Sequence, residues 1–207
     1  MTLEESLDKS WNNVRTNLGY HNIPYPVMID PKDDDELRLF SNEFNVPTMT
    51  AAINMENHEI MINKNFLNEL IDNGLSKEDA LSGILHHEVN HYVYCPQDLL
   101  NFLRFNSKAA KISPTHANVI SNYFQDVVDN LDLLQNKDGS CIEKVYRCMD
   151  KEHNLDKLMA ALYQKRSGIP MNVKIRNRRL KKKLNALDAL DYSNKKNGII
   201  HLKSSQK

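Results

Sequence analysis

Midway along the chain, His87, Glu88 and His91 form the pattern His-Glu-x-x-His inside the stretch Leu85-His86-His87-Glu88-Val89-Asn90-His91-Tyr92. On an α-helix, residues four apart are separated by about 6 Å along the axis and lie on nearly the same face. Two neutral imidazoles so arranged can bite one Zn²⁺, and Glu88, directly after the first, is set to touch a water on the ion rather than the ion itself. The chemistry of that spacing is metal-assisted hydrolysis, with Glu88 as general base toward the water. Composition alone, with 8 His and 11 Glu in 207 residues, generates the pattern about 0.016 times in this chain, which makes accident a poor explanation. The flanking Leu81, Ile84, Leu85, Val89 and Val93 point to a buried helix, where two imidazoles and a carboxylate without a metal would be costly. His86, turned about 100° from His87, is expected to pack or to face solvent and not to ligate.

A catalytic zinc takes three protein ligands and keeps a fourth position for water. The segment Asn122-Tyr123-Phe124-Gln125-Asp126-Val127-Val128-Asp129-Asn130 is the best source of the third ligand. Ile120, Phe124, Val127, Leu131 and Leu134 make an apolar stripe, while Asn122, Asp126 and Asn130 recur every four residues on another face. A carboxylate between two amides on a largely buried helix reads as a ligand with hydrogen-bonding support behind it. Asp129, one turn from Asp126, is the rival ligand; Glu143, Glu152 and His153 lack any such patterned polar face.

These residues need elements to hold them. Leu3, Leu7, Trp11, Val14 and Leu18 recur at helical spacing and Gly19 follows as a stop, predicting a helix over 3–18. Pro24 and Pro26 frame an extended piece ending at Val27-Met28-Ile29, and a charged loop leads to a helical stretch around 36–44. Residues 49–54 and 59–63 are strand-like and their short connection suits a hairpin. A helix over 65–72 stops at Asn73-Gly74, and Ser76 with Asp79 opens the long motif helix, which Pro96 ends. Helices are expected at 97–110, 114–134, near 143–164 after a loop holding Gly139, and at 180–190. The sum is an α+β chain with a small sheet and a helical remainder.

His-Glu-x-x-His followed by a helix bearing Asn-x-x-x-Asp-x-x-x-Asn resembles the zinc-metallopeptidase domains found beside von Willebrand A-like domains, within the zincin superfamily. The resemblance covers residues 3–134, and its specific motifs lie on two helices. It implies a zincin-like fold: a small, mostly antiparallel sheet, an N-terminal helix, an active-site helix, a third-ligand helix and a helical C-terminal part. It further implies Asp126 as the third ligand; with the motif and the pattern above, the expectation is a peptidase with Zn²⁺ as cofactor, Glu88 as catalytic base, and Asn122, Asp129 and Asn130 supporting the ligands. In metzincins the ligand comes from a short extension, but Tyr94 stands here for the glycine and Gln97 for the ligand, which disfavours that branch. Zincins often stabilise the oxyanion with Tyr or His, for which His116, Tyr92 and Tyr123 are candidates. A peptide or protein substrate is expected to add as a strand to the sheet edge, at 49–54 or 59–63.

Composition narrows the remainder. The chain carries 27 Lys+Arg against 27 Asp+Glu and is 41% hydrophobic, which suits one domain with an appendage, or two small ones. No run approaches the ~18 apolar residues of a membrane span, so no membrane partner is expected. The acidic start MTLEESLDKSW is unlike a secretory signal, and the expectation is a cytoplasmic protein with Cys95, Cys141 and Cys148 reduced. Charge is uneven: 30–36 is acidic, whereas Lys174, Arg176, Arg178, Arg179, Lys181, Lys182 and Lys183 form a basic run. The expected division is a metallopeptidase domain over 1–136 and a helical extension over 137–207. Gly168-Ile169-Pro170 suggests that a chain ending near Ser167 folds without the tail, unless Leu180, Leu184, Leu187 and Leu190 pack back onto it. The alternative function is a non-catalytic zinc-containing module contacting nucleic acid or a protein partner through the basic run.

Overall fold

A computed structural model describes residues 2–30, 50–136, 140–149, 151, 153–191 and 201–202. The helix expected at 36–44, the acidic run beyond Asp30, Met49, Gly139 and Glu152 lie outside those residues. The first helix, α1 (Leu3–Leu18), is fastened at both ends. The Thr2 hydroxyl accepts from the Glu5 amide at 3.1 Å while the Thr2 amide donates to the Glu5 carboxylate at 2.7 Å. Gly19 closes the other end at φ 71°, a conformation that glycine adopts without penalty. Leu7, Trp11 and Val14 form its buried stripe.

Three short strands follow: β1 (Val27–Ile29), β2 (Ala51–Ile53) and β3 (Ile60–Asn63). Their order is β1-β3-β2, with β3 central. Strands β2 and β3 are the expected hairpin, antiparallel with Ala52 opposite Met61. Strand β1 runs parallel to β3, Met28 opposite Ile62. The sheet is therefore mixed, not mostly antiparallel. A strand's own residues carry no mark of its partner's direction, and the long connection between β1 and β3 leaves ample chain for a parallel crossover.

Asn63 ends β3 and caps α2 (Lys64–Asp72), its side-chain oxygen accepting from the Asn65 amide. Ser76 then caps α3 (Lys77–Val93), accepting from the Asp79 amide at 3.1 Å. Helix α3 is the centre of the molecule, buried over most of its circumference. It is crossed by α1 on one side and on the other by α6 (Ser140–Cys148). Between them in sequence come α4 (Leu99–Ile112), a 3₁₀ turn at Pro114–His116, and α5 (Ala117–Asn136). The α6 crossing occurs at Gly83, where an added Cβ would lie 2.5 Å from Val145 Cγ2 and 3.0 Å from the Cys141 carbonyl oxygen. Only a residue without a side chain lets the helices approach this closely, one turn before His87.

Two apolar clusters result. One joins α1, the sheet, α2 and the first part of α3; the other joins α5, α6 and α7 (Asn154–Ser167). Met171 and Val173 are buried in the second cluster, and Leu184, Leu187 and Leu190 pack against it. The last three come from or follow α8 (Arg178–Asp188), tied to α7 by Arg166 Nε and Lys165 Nζ on the Asp188 carboxylate at 2.7 and 2.9 Å. A two-stranded pairing of β4 (Leu190–Asp191) with β5 (His201–Leu202) completes the described fold. The architecture is α+β and mostly helical. Among the described residues no helix is long and apolar enough to cross a membrane.

Candidate metal centre

His87 and His91 project from one face of α3, their ring centroids 4.7 Å apart. Asp126 faces them from α5, with Oδ1 3.6 Å from His87 Nε2 and 3.4 Å from His91 Nε2. Metal–nitrogen and metal–oxygen bonds of about 2.0–2.2 Å at tetrahedral angles set donor atoms roughly 3.3–3.6 Å apart. The spacing fits that requirement. Asp126 Oδ1 is buried and faces the two imidazoles, so its charge needs either their protons or a cation held between the three groups. These three residues can hold a metal ion.

The far side of each donor is anchored. His87 Nδ1 lies 2.9 Å from Asn130 Oδ1, and His91 Nδ1 lies 3.0 Å from the Cys95 carbonyl oxygen and 2.6 Å from Asp129 Oδ2. In the neutral rings each Nδ1 therefore carries the proton and each Nε2 lone pair is turned to Asp126. Asn122 Nδ2 donates to Asp126 Oδ2 at 3.2 Å and leaves Oδ1 for the histidines. Asp129 is fully buried behind His91, and Asn90 donates to its carbonyl and carboxylate oxygens. Its carboxyl thus meets the Nδ1 edge of His91, whereas that of Asp126 meets the Nε2 atoms of both rings.

Sequence reasoning overlooked Tyr146 and Tyr163. Asn130 Nδ2 donates to their hydroxyl oxygens at 2.9 and 3.1 Å, and the Tyr163 hydroxyl donates to the Asp126 carbonyl oxygen at 3.3 Å. Both tyrosines come from helices beyond residue 136, and nothing local marks them. Asn90, a polar residue inside the motif of a buried helix, was a readable signal.

Electrostatics follow from burial and from the carboxylates. Burial opposes the imidazolium at His87 and His91, yet Asp126, joined at His91 by Asp129, outweighs it and raises both. Burial pushes the Asp126 carboxyl up, but the two imidazoles beside it win and hold it well below the usual range. Glu88, 4% exposed, is raised by burial, partly offset by the same imidazoles.

Two cavities meet at the cluster, and His87, Glu88 and Asp126 line both. The smaller, about 230 Å³, runs from β2 and residues 54–56 to α4 and α5. The larger, about 660 Å³, opens between α3, α6 and α7. Strand β2 borders both cavities and is an edge strand among the described residues.

The other candidates disperse. His86 is buried, its Nδ1 2.7 Å from the Ser82 carbonyl oxygen. His116 is held by Ser113 and Thr115 at the surface, and Tyr92 packs on Tyr20 and His58. Tyr123 does line the larger cavity. Glu143 pairs with Arg147, and exposed His153 lies on the larger cavity's rim. All three cysteines are free, with Cys95 buried. The seven cations of residues 174–183 are exposed, without an ion-pair partner among the described residues.

No protein-family model, curated protein or solved structure matches the chain.

Proposed function

We propose that the protein is a zinc-dependent hydrolase whose substrate is a peptide or protein. The observation that carries this reading is the buried Asp126 Oδ1 at 3.4–3.6 Å from two histidine Nε2 atoms, with the Glu88 carboxyl in the same cavity. His87, His91 and Asp126 would hold the ion, and three protein donors suit a catalytic site better than a structural one, which closes with four. Zn²⁺ bound there supplies a Lewis acid and a more acidic water.

Everything else falls to the chain. Glu88 accepts the proton of the attacking water and returns it to the leaving amine, and its raised pKa suits both roles. Asn130 and the Cys95 carbonyl, on the Nδ1 atoms, keep the rings aimed. An extended substrate pairs with the edge of β2 that has no partner strand among the described residues, which brings its backbone alongside the cluster.

Metal analysis joined to one substitution tests the reading. Chelator-free protein should contain one zinc per chain, and Glu88→Gln should retain it while peptide hydrolysis falls by at least about 100-fold. His87→Ala should lose the metal. Protein that takes up no transition metal, or a Glu88→Gln variant as active as the parent, would overturn the proposal.

A further inference from the structure

The two cavities that share the cluster differ in kind. The smaller mixes amide and carboxylate side chains, among them Asn54, Glu56, Asn106 and Gln125, with apolar Ile53 and Phe102. The larger has almost three times the volume and an apolar interior: Ile84 of α3, Ile142, Val145 and Met149 of α6, and Met159 of α7. Apart from Glu88 and Asp126 at the cluster, its charged members are half-buried (Lys151, Asp156) or exposed (Glu69, His153), and Leu155 beside them is 38% exposed. A cavity of this size and lining is of the kind that takes up an apolar group and orients it with few polar contacts. Its position is also fixed. The side-chain-free surface of Gly83 brings α6 against α3, so the apolar wall begins one turn from His87. The α6 and α7 walls lie beyond the motif-bearing stretch, so they belong to this chain's own C-terminal helices.

We propose that the larger cavity receives a bulky apolar side chain, aromatic or long aliphatic, from the substrate residue next to the bond held over His87, His91 and Asp126. The substrate class is then a peptide with such a residue at the cleavage point. This inference rests on the hydrolase reading above. Small or charged residues there would leave apolar walls against water or lose their own hydration.

Zinc-loaded full-length protein is titrated calorimetrically with two metal-chelating probes, acetohydroxamate and 3-phenylpropanohydroxamate. The phenyl-bearing probe should bind roughly 10- to 100-fold more tightly, the gain expected for burying a ring of that size. Met159→Trp, which fills the interior, should reduce the ratio of the two affinities to within about 3-fold. Leu155→Arg, at the exposed rim where the fold does not depend on it, should shrink the same ratio by charging the mouth. Equal affinities for the two probes on zinc-loaded protein, or a ratio unmoved by Leu155→Arg, overturn the subsite and leave the metal centre standing. Protein that holds no zinc and binds neither probe overturns both.

Discussion

The division of labour between Asp126 and Asp129 comes down to which nitrogen each carboxylate meets. Asp126 faces Nε2 of both rings and Asp129 faces Nδ1 of one. Asp126→Ala should therefore reduce zinc affinity by well over about 100-fold, while Asp129→Asn and Asn130→Ala, which only loosen the rings, should cost about 10–100-fold. Competition with a chromogenic chelator measures all three, and equal losses would remove the distinction. Protons compete for the same site. The raised histidines bind protons more tightly in the folded chain than in the unfolded one. Their contribution to metal-free stability is thus complete below about pH 6.5 and fades as pH rises through the raised values. Zinc needs neutral rings, so its affinity should climb with proton release as pH rises through those raised values, and a flat profile would contradict the assignment. The motif and the every-fourth-residue pattern of α5 were legible because helix geometry converts spacing into direction. Which of two acids on the same helix meets Nε2 was not, because one turn of rotation decides it.

Helix ends were as readable as helix faces. Ser76, Gly19 and the Asn73-Gly74 stop are local chemistry, and the structure uses each where the sequence suggests. Pairing between distant segments was not: the parallel β1–β3 contact and the α3–α6 crossing depend on surfaces far apart in sequence. Gly83 is the clearest case, an ordinary glycine inside a helical pattern whose reason is a helix almost 60 residues later. Gly83→Ala would ordinarily favour a helix by up to about 1 kcal/mol. Here its methyl group meets Val145 and a backbone carbonyl, so the variant should be destabilised by about 1–3 kcal/mol. Urea unfolding decides the sign, and a stabilised variant would mean that α6 lies further from α3.

At the scale of the whole molecule, the tail is the open question that packing addresses. Met171 and Val173 are buried, and Leu184, Leu187 and Leu190 pack on the same cluster, which also includes Tyr163 and is joined by Tyr146. A chain ending at Ser167 should unfold at lower temperature and less cooperatively, since removing two buried residues and a covering helix costs several kcal/mol. Unchanged calorimetric cooperativity would make 168–207 an appendage. The hydroxyl link from Asn130 to Tyr163, 33 residues later, has a further meaning for a chain under synthesis. Ribosomes deliver the two donor-bearing helices first, and the aromatic groups that steady Asn130, and through it His87, emerge only afterwards. The cluster that can hold a metal ion is therefore fully supported only after α7 has cleared the exit tunnel. Stalled chains released before Tyr163 should accordingly hold zinc more weakly than chains released after α7.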